Sequence, residues 1–236
     1  MSNQNIPNKV LKWYDNNKRI LPWRKKTSIK NREYFTLVSE FMLQQTQVKT
    51  VIPYFELFIK NFPNLNTLAN ASEKKVLKNW EGLGYYRRAT HLHKAAKAID
   101  VAGEFPKSYA DWLKLPGVGP YTAAAIASIG LGEAVAVVDG NVQRVISRWE
   151  GITDPVDGKI GAKAMQAAAD IWLDHADPGN HNQAVMELGA LICSPRNPMC
   201  KRCPLSTNCA SANQPDMWGI LPAKKPKKKA KSKVNQ

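Results

Sequence analysis

The run Leu115-Pro116-Gly117-Val118-Gly119-Pro120-Tyr121 restricts the fold more than any other stretch of the chain. Gly117 and Gly119 allow backbone conformations that side chains exclude, and Pro120 fits the first position of a helix. Residues 108–115 predict a helix before the turn, with Asp111 completing a capping box, and the small residues 122–129 predict one after it. N–H groups at such a helix start attract phosphate. The pattern predicts a helix-hairpin-helix that holds DNA without reading its sequence, although a plain turn between helices fits the same residues.

The charge of the chain points to a polyanionic partner. Its 236 residues carry a net charge of +15, and 44% of them are hydrophobic, enough for a sizeable core. Nucleic acid and an anionic membrane surface both fit that charge. No apolar run approaches the roughly 18 residues of a membrane-spanning helix, and the N-terminus lacks a signal pattern. We therefore expect no membrane association and a cytoplasmic, nucleoid-associated protein.

All four cysteines lie in one short segment, with the spacing Cys-x6-Cys-x2-Cys-x5-Cys; they are Cys193, Cys200, Cys203 and Cys209. In a reducing compartment such a group favours a metal site over two disulfides. Zinc and a four-iron four-sulfur cluster both take four thiolates, and the spacing alone does not separate them. Arg196, Lys201 and Arg202 lie between the cysteines, so a bound metal would hold basic loops in place.

Two carboxylates are candidates for acid–base chemistry. Glu40 is the only charged residue between Tyr34 and Val48. It either points outward or is buried, and burial would raise its pKa and make it a proton donor near neutral pH. Asp139 precedes a helix whose apolar face includes Val142 and Trp149, so it occupies an N-cap position. Because the helix dipole would keep Asp139 ionised, we expect the two pKa values to move in opposite directions.

The rest of the chain predicts helices and no strand, hence an all-α fold. One predicted helix presents an apolar face formed by Ile160, Ala164, Ala168 and Ile171. Tyr85 and Tyr86 precede two arginines, which fits either insertion into DNA or helix packing. Seven lysines among residues 224–233 predict a basic disordered tail over 221–236.

Five motifs, in order, resemble those of the MutY-type adenine DNA glycosylases, members of the helix-hairpin-helix (endonuclease III) superfamily. They are Glu40 with residues 42–48, residues 82–86, residues 115–119, residues 138–142 and the four-cysteine spacing. The resemblance implies two lobes with DNA between them. Residues 28–135 would form a six-helix barrel containing the hairpin. Residues 1–27 and 136–220 would form a lobe that carries one 4Fe-4S cluster.

The same resemblance assigns roles to individual residues. Glu40 would be the general acid, Asp139 the second catalytic carboxylate, and Tyr121 and Asn141 their supporting partners. Gln183 would line the adenine pocket, and Gln45 and Tyr85 would enter the duplex. Gly117 and Gly119 would bind the DNA backbone, and the metal ligands would be Cys193, Cys200, Cys203 and Cys209.

The implied function is monofunctional hydrolysis of the N-glycosidic bond of adenine mispaired with guanine or 8-oxoguanine, by a monomer on double-stranded DNA. Tyr121 stands where bifunctional endonuclease III relatives carry a lysine, so little strand cleavage is expected. Two departures from the family pattern are a longer segment between Trp23 and Glu40 and a short form without the C-terminal domain that recognises 8-oxoguanine. A thymine mismatch glycosylase and a non-catalytic iron–sulfur DNA-binding protein are the alternatives. Glu40 and the Gln-Gln-Thr-Gln motif at residues 44–47 argue against the first, and the presence of both Glu40 and Asp139 argues against the second.

Overall fold

The fold is described from a computed structural model over residues 5–25 and 27–226. Within these ranges all regular structure is helical and none is strand, which confirms the all-α prediction. No helix in the same ranges is long and apolar enough to cross a membrane. The α-helices of the described part are α1 (Ile6–Asn17), α2 (Ile29–Leu43), α3 (Val48–Asn61), α4 (Leu65–Ala69), α5 (Glu73–Asn79), α6 (Arg87–Ala102), α7 (Tyr109–Trp112), α8 (Pro120–Ile126), α9 (Gly140–Glu150), α10 (Lys159–Trp172), α11 (Pro178–Leu191) and α12 (Pro215–Ile220).

The glycine hairpin joins α7 to α8. The Asp111 N–H donates to Ser108 Oγ at 3.2 Å, and the Ser108 hydroxyl donates to Asp111 Oδ2 at 2.7 Å, so the start of α7 is capped as predicted. However, α7 ends at Trp112 rather than near Leu115. Pro116 disfavours helical backbone in the residue before it, so the helix cannot continue through Leu115. Helix α8 continues into a π-helical turn, Ala127–Leu131.

The buried side chains form two large hydrophobic cores. The first is built by α2 to α8 and includes Phe41, Trp80 and Trp112, all almost fully buried. The second is built by α1 and α9 to α11, and its largest members include Tyr14 and Trp172. The N-terminal helix therefore packs with the C-terminal half of the chain, and α2 packs with the segment that follows it.

A buried carboxylate ties the segment after α1 to α11. Glu187 Oε1 accepts from the Arg19 N–H at 2.9 Å and from Arg19 Nε at 2.7 Å, while its Oε2 accepts from Arg19 Nη2 at 2.8 Å and Arg24 Nη2 at 3.2 Å. Burial alone would raise the pKa of Glu187, but these bonds and charges lower it to about 2. The carboxylate therefore stays ionised and holds the N-terminal segment in place.

Helix α10 lies where the sequence predicts, but the predicted face is not the buried one. Ile160 and Ile171 are exposed, whereas the helix buries Gly161, Met165, Ala169 and Trp172. Gly161 explains the orientation, because a Cβ there would lie 2.2 Å from the Pro155 carbonyl oxygen. Only a helix face that lacks a Cβ at this position can approach the loop before α10 so closely.

The first part of the predicted tail packs against the protein. Leu221 is buried, the Val156 N–H donates to the Ala223 carbonyl at 2.9 Å, and the Lys225 N–H donates to Asp157 Oδ1 at 2.8 Å. A disordered tail therefore does not begin at residue 221. The prediction for residues 227–236 lies outside the described residues.

The hairpin gives a matched pair of substitutions. Gly117 has a φ of +75°, and a Cβ there would lie 2.4 Å from His91 Cβ, whereas Gly119 has an ordinary φ and nothing within 4 Å. We expect Gly117→Ala to lower the free energy of unfolding by about 1–3 kcal/mol because of backbone strain and displacement of His91. Gly119→Ala should cost no more than about 1 kcal/mol. Urea denaturation measures both, and equal losses would contradict the assignment of strain to Gly117.

Candidate active site

A cavity of about 1300 Å³ lies between α2, α8, α9, α11 and the segment after α1. Five residues predicted from the sequence line it: Glu40, Tyr121, Asp139, Asn141 and Gln183. They come from four separate stretches of the chain. Folding thus brings together most of the side chains that the family resemblance associates with one site.

Glu40 lies on α2 with its carboxyl group turned into the protein. The residue is 5% exposed, and its Oε2 atom has no hydrogen-bond partner among the described residues. Burial raises the pKa of Glu40 to about 7; the Tyr121 hydroxyl opposes this rise and the nearby Asp139 adds to it. The outward-pointing alternative is excluded. A carboxyl group in this state is a proton donor near neutral pH.

Asp139 caps α9 as predicted. Its Oδ1 accepts from the Val142 N–H at 2.7 Å and its Oδ2 accepts from Asn141 Nδ2 at 3.0 Å. The expectation that its pKa moves opposite to that of Glu40 is wrong, because burial raises the pKa of Asp139 and these hydrogen bonds only oppose the rise. The hydrogen bonds still distinguish the two groups: Asp139 has two donors that favour its ionised form, while Glu40 Oε2 has no partner among the described residues.

Tyr121, Asn141 and Gln183 line the same cavity as the two carboxyl groups. Burial raises the pKa of Tyr121 well above its usual range, so the phenol keeps its proton and acts as a donor beside Glu40. Its hydroxyl also lies 3.8 Å from Met186 Sδ. The Asn141 side-chain oxygen accepts from Arg144 Nη2 at 2.8 Å, which orients its amide toward Asp139. Gln183 Nε2 donates to the Gly179 carbonyl at 3.2 Å within α11.

Gln45 and Tyr85 do not line the cavity. They are the only non-glycine residues of the described part with a left-handed φ, 55° for Gln45 and 49° for Tyr85. The Tyr85 side chain is 62% exposed, so the packing alternative does not apply to it. Strained, exposed positions of this kind are typical of contact surfaces rather than of a core.

The four cysteines are free thiols, each half-buried, and they are Cys193, Cys200, Cys203 and Cys209. Arg148 Nη1 lies 3.4 Å from Cys193 Sγ. Burial raises the pKa of Cys203 to about 12, a backbone bond from Leu205 opposes this, and the other three thiols add to it. Within the described ranges no three Cys, His, Asp or Glu side chains are gathered closely enough to hold one metal ion.

The sequence interpretation missed several residues that line the cavity. They are Arg19, Trp23, Arg24, Met186 and Glu187. A lone acidic residue within a helix was the sequence signal for Glu40. Glu187 carries the same signal, because it is the only acidic residue of α11. The two arginines gave no such signal, since they lie in a segment that is rich in charge throughout.

A family comparison agrees with this fold. The description of the HhH-GPD superfamily of base excision DNA repair proteins matches residues 38–170. The chain therefore belongs to this superfamily, which confirms the resemblance seen in the sequence.

Within that superfamily, the chain is 42% identical over 220 residues to the human adenine DNA glycosylase, covering 90% of this chain and 40% of the relative. It is 39% identical over 222 residues to the adenine DNA glycosylase of Buchnera aphidicola subsp. Schizaphis graminum, covering 93% and 62%. The chain thus spans only about half the length of these relatives. A solved thermostable thymine-DNA glycosylase superposes with a TM-score of 0.78 at 26% identity, covering 89% of this chain and 96% of that one.

The Glu40 pKa predicts a pH-dependent stability. Because the folded-state pKa is about 7 and the ordinary value is 4.5, the folded chain binds this proton more tightly, and stability falls as the pH rises from 4.5 through 7. We expect Glu40→Gln to be more stable than the parent above pH 7, by up to about 3 kcal/mol, with the difference shrinking toward pH 5. Urea denaturation at several pH values measures it.

Glu56→Gln is the matched control, since Glu56 is exposed on α3. This variant should differ little from the parent at any pH. A Glu40→Gln difference that did not change with pH would contradict the burial of an ionisable carboxyl at this position.

Proposed function

We propose that this chain hydrolyses the N-glycosidic bond of adenine mispaired with 8-oxoguanine or guanine in double-stranded DNA. The observation that carries the proposal is the buried Glu40 carboxyl, with a pKa of about 7, beside the capped carboxylate of Asp139 in one cavity. The curated relatives named adenine DNA glycosylase support adenine as the base.

The two carboxyl groups suit the two charges that develop in this reaction. Adenine leaves readily only when its ring is protonated, and Glu40 is half-protonated near pH 7. The sugar left behind gains oxocarbenium character, which an ionised carboxylate stabilises. Asp139 has the donors that favour its ionised form, and the Tyr121 phenol keeps its proton beside both groups. Water then attacks the sugar carbon as the protonated adenine leaves, and the water gives one proton to the carboxylate left on Glu40.

The cavity is large enough to receive a base rotated out of the duplex. Arg24 lies in its wall with a buried Nε that has no partner among the described residues, and Gln183 and Trp23 face the same space. Polar groups next to an aromatic ring suit the edge and the face of a purine. We infer that these residues bind the extruded adenine before Glu40 protonates it.

The DNA-binding surface extends outside the cavity. The hairpin glycines Gly117 and Gly119 would present N–H groups to phosphates, and Gln45 and Tyr85 would enter the duplex at the vacated position. Residues 28–135 would then form one lobe, and 1–27 with 136–220 the other. Action as a monomer on nucleoid DNA in the cytoplasm belongs to the same proposal.

The four cysteines would hold one 4Fe-4S cluster. Four free, half-buried thiols that influence one another supply the donors that such a cluster takes. The Arg148 guanidinium beside Cys193 would offset part of the thiolate charge. When bound, the cluster would hold the loops that carry Arg196 and Lys201.

A thymine mismatch glycosylase is the second candidate, favoured by the likeness to the thermostable thymine-DNA glycosylase. Thymine has no basic ring nitrogen comparable to those of adenine, so a carboxylic acid has less to protonate and this reaction has less need of Glu40. The alternative therefore leaves the most distinctive feature of the cavity unused.

Base release from duplexes with A:8-oxoguanine, A:G and T:G pairs tests the proposal. We expect single-turnover release from both adenine pairs and none from T:G. Glu40→Gln should abolish release while mispair binding stays nearly intact, because only the titratable proton is lost. Asp139→Asn should be severely impaired, and Glu56→Gln should match the parent. Release of thymine alone, or full activity of Glu40→Gln, would overturn the assignment.

The product strand distinguishes hydrolysis from lyase chemistry. A tyrosine at position 121 cannot form a Schiff base, so the abasic strand should stay intact until it is treated with alkali. Efficient borohydride trapping of a covalent protein–DNA adduct would contradict a monofunctional mechanism.

Metal analysis of protein purified without oxygen tests the cysteine site. We expect about four irons per chain, and loss of iron in Cys200→Ser, because all four thiolates would ligate one cluster. A serine variant at an exposed non-ligand in the same loop, Thr207→Ser, should keep the iron. Stoichiometric zinc without iron would refute the cluster.

A further inference from the structure

Two separate loops carry the strained residues of this fold. The Gln45 loop (residues 44–47) follows α2, and the Tyr85 loop (residues 80–86) precedes α6. Each holds one residue in left-handed backbone, which costs of order 1–3 kcal/mol when the residue is not glycine. Such conformations persist only where surrounding contacts hold them.

One side chain, Arg88 at the start of α6, contacts both loops. It is 7% exposed, and its Nη1 donates to the carbonyls of Phe41 at 3.2 Å and Met42 at 2.7 Å, and also to that of Gln44. Its Nη2 donates to the carbonyls of Leu83 at 3.4 Å and Gly84 at 3.1 Å. A single guanidinium therefore joins the end of α2 and the Gln45 loop to the Tyr85 loop.

The charge of Arg88 suits this position. The last carbonyls of a helix lack partners within the helix and carry partial negative charge, so a cation is favourable there. Helix α2 is also the helix that carries Glu40. Burial lowers the pKa of Arg88, but an arginine stays protonated in a protein. The five carbonyls thus compensate a permanent buried charge.

Two aromatic rings lie close to the same guanidinium. Its central carbon is 5.5 Å from the centroid of the Trp80 ring and 5.3 Å from that of the Tyr85 ring. Trp80 is buried, and its Nε1 donates to the Gly84 carbonyl at 3.1 Å. Tyr85, by contrast, is mostly exposed. The contact with Arg88 therefore favours one orientation of a ring that is largely open to solvent.

We propose that Arg88 is a positioning residue that fixes the Gln45 and Tyr85 loops as one rigid wedge, so that it controls extrusion of the target base rather than bond hydrolysis. This inference rests on the proposed function for the identity of the base. Lysine cannot replace Arg88, because an ammonium is a point charge and cannot span two sets of carbonyls.

Arg88→Lys in the full chain tests the wedge with two measurements. The first is the fluorescence of a 2-aminopurine placed next to the mispaired adenine, which rises when the stack opens. The second is the single-turnover rate on an A:8-oxoguanine duplex and on the same adenine in an unpaired bubble, where it is already unstacked. We expect the fluorescence rise to disappear and the duplex rate to fall about 100-fold, because a small misplacement suffices for such a loss. The bubble rate should fall less than about threefold.

Arg87→Lys is the matched control, since Arg87 is exposed and adjacent on the same helix. It should leave the ratio of the two rates unchanged. Arg88→Gln, which carries no charge to bury, is the second variant if the lysine variant does not fold, as judged by thermal melting. It should give the same loss of fluorescence.

Each other outcome has a definite meaning. Equal losses on duplex and bubble, or no loss on either, would overturn the positioning role, and so would a parent protein that binds without any fluorescence rise. A parent that opens the stack but releases no adenine would refute the proposed function alone. The fluorescence of the Arg88 variants would still decide the role of Arg88.

Discussion

The cavity depends on the burial of one carboxyl group without a full set of hydrogen-bond donors. An ionised carboxylate in such a place is costly, so the protein retains the proton of Glu40 up to about neutral pH. Asp139 is also buried, but the first turn of α9 supplies donors to it. The two carboxyl groups thus differ in their hydrogen-bond donors, because Glu40 lies within a helix and Asp139 lies at the start of one.

This pairing requires parts of the chain that are far apart in sequence. Glu40 lies on α2, a helix of the first hydrophobic core, and Asp139 precedes α9, one of the helices of the second. Tyr121 lies directly after the glycine hairpin, so the turn that would face DNA also directs a phenol into the cavity. The cavity and the proposed DNA-binding surface therefore share one short segment. A substitution in the hairpin would therefore alter both the cavity and the proposed DNA-binding surface.

The sequence predicted the features that a few neighbouring residues decide. The glycine hairpin, the cap at Asp139 and the lone Glu40 are of this kind, and the structure agrees with each. It did not predict the buried side of α10, because that helix is apolar on two sides and the close approach of Gly161 to Pro155 decides between them. The prediction for the Asp139 pKa was wrong for a similar reason, because the segments that bury Asp139 are distant from it in sequence. Arg88 and the arginines around Glu187 act through contacts that local patterns do not contain.

The bond between Arg19 and Glu187 joins residues 168 positions apart, and α1 packs against α11. During synthesis α1 is made before α11, so it has no packing partner until α11 has been made. At ordinary elongation rates the delay is roughly 10–30 s, far longer than a helix needs to form. The first core can meanwhile complete itself from consecutive segments. A growing chain in which the first core is complete would therefore still expose the face of α1 that α11 covers in the finished protein.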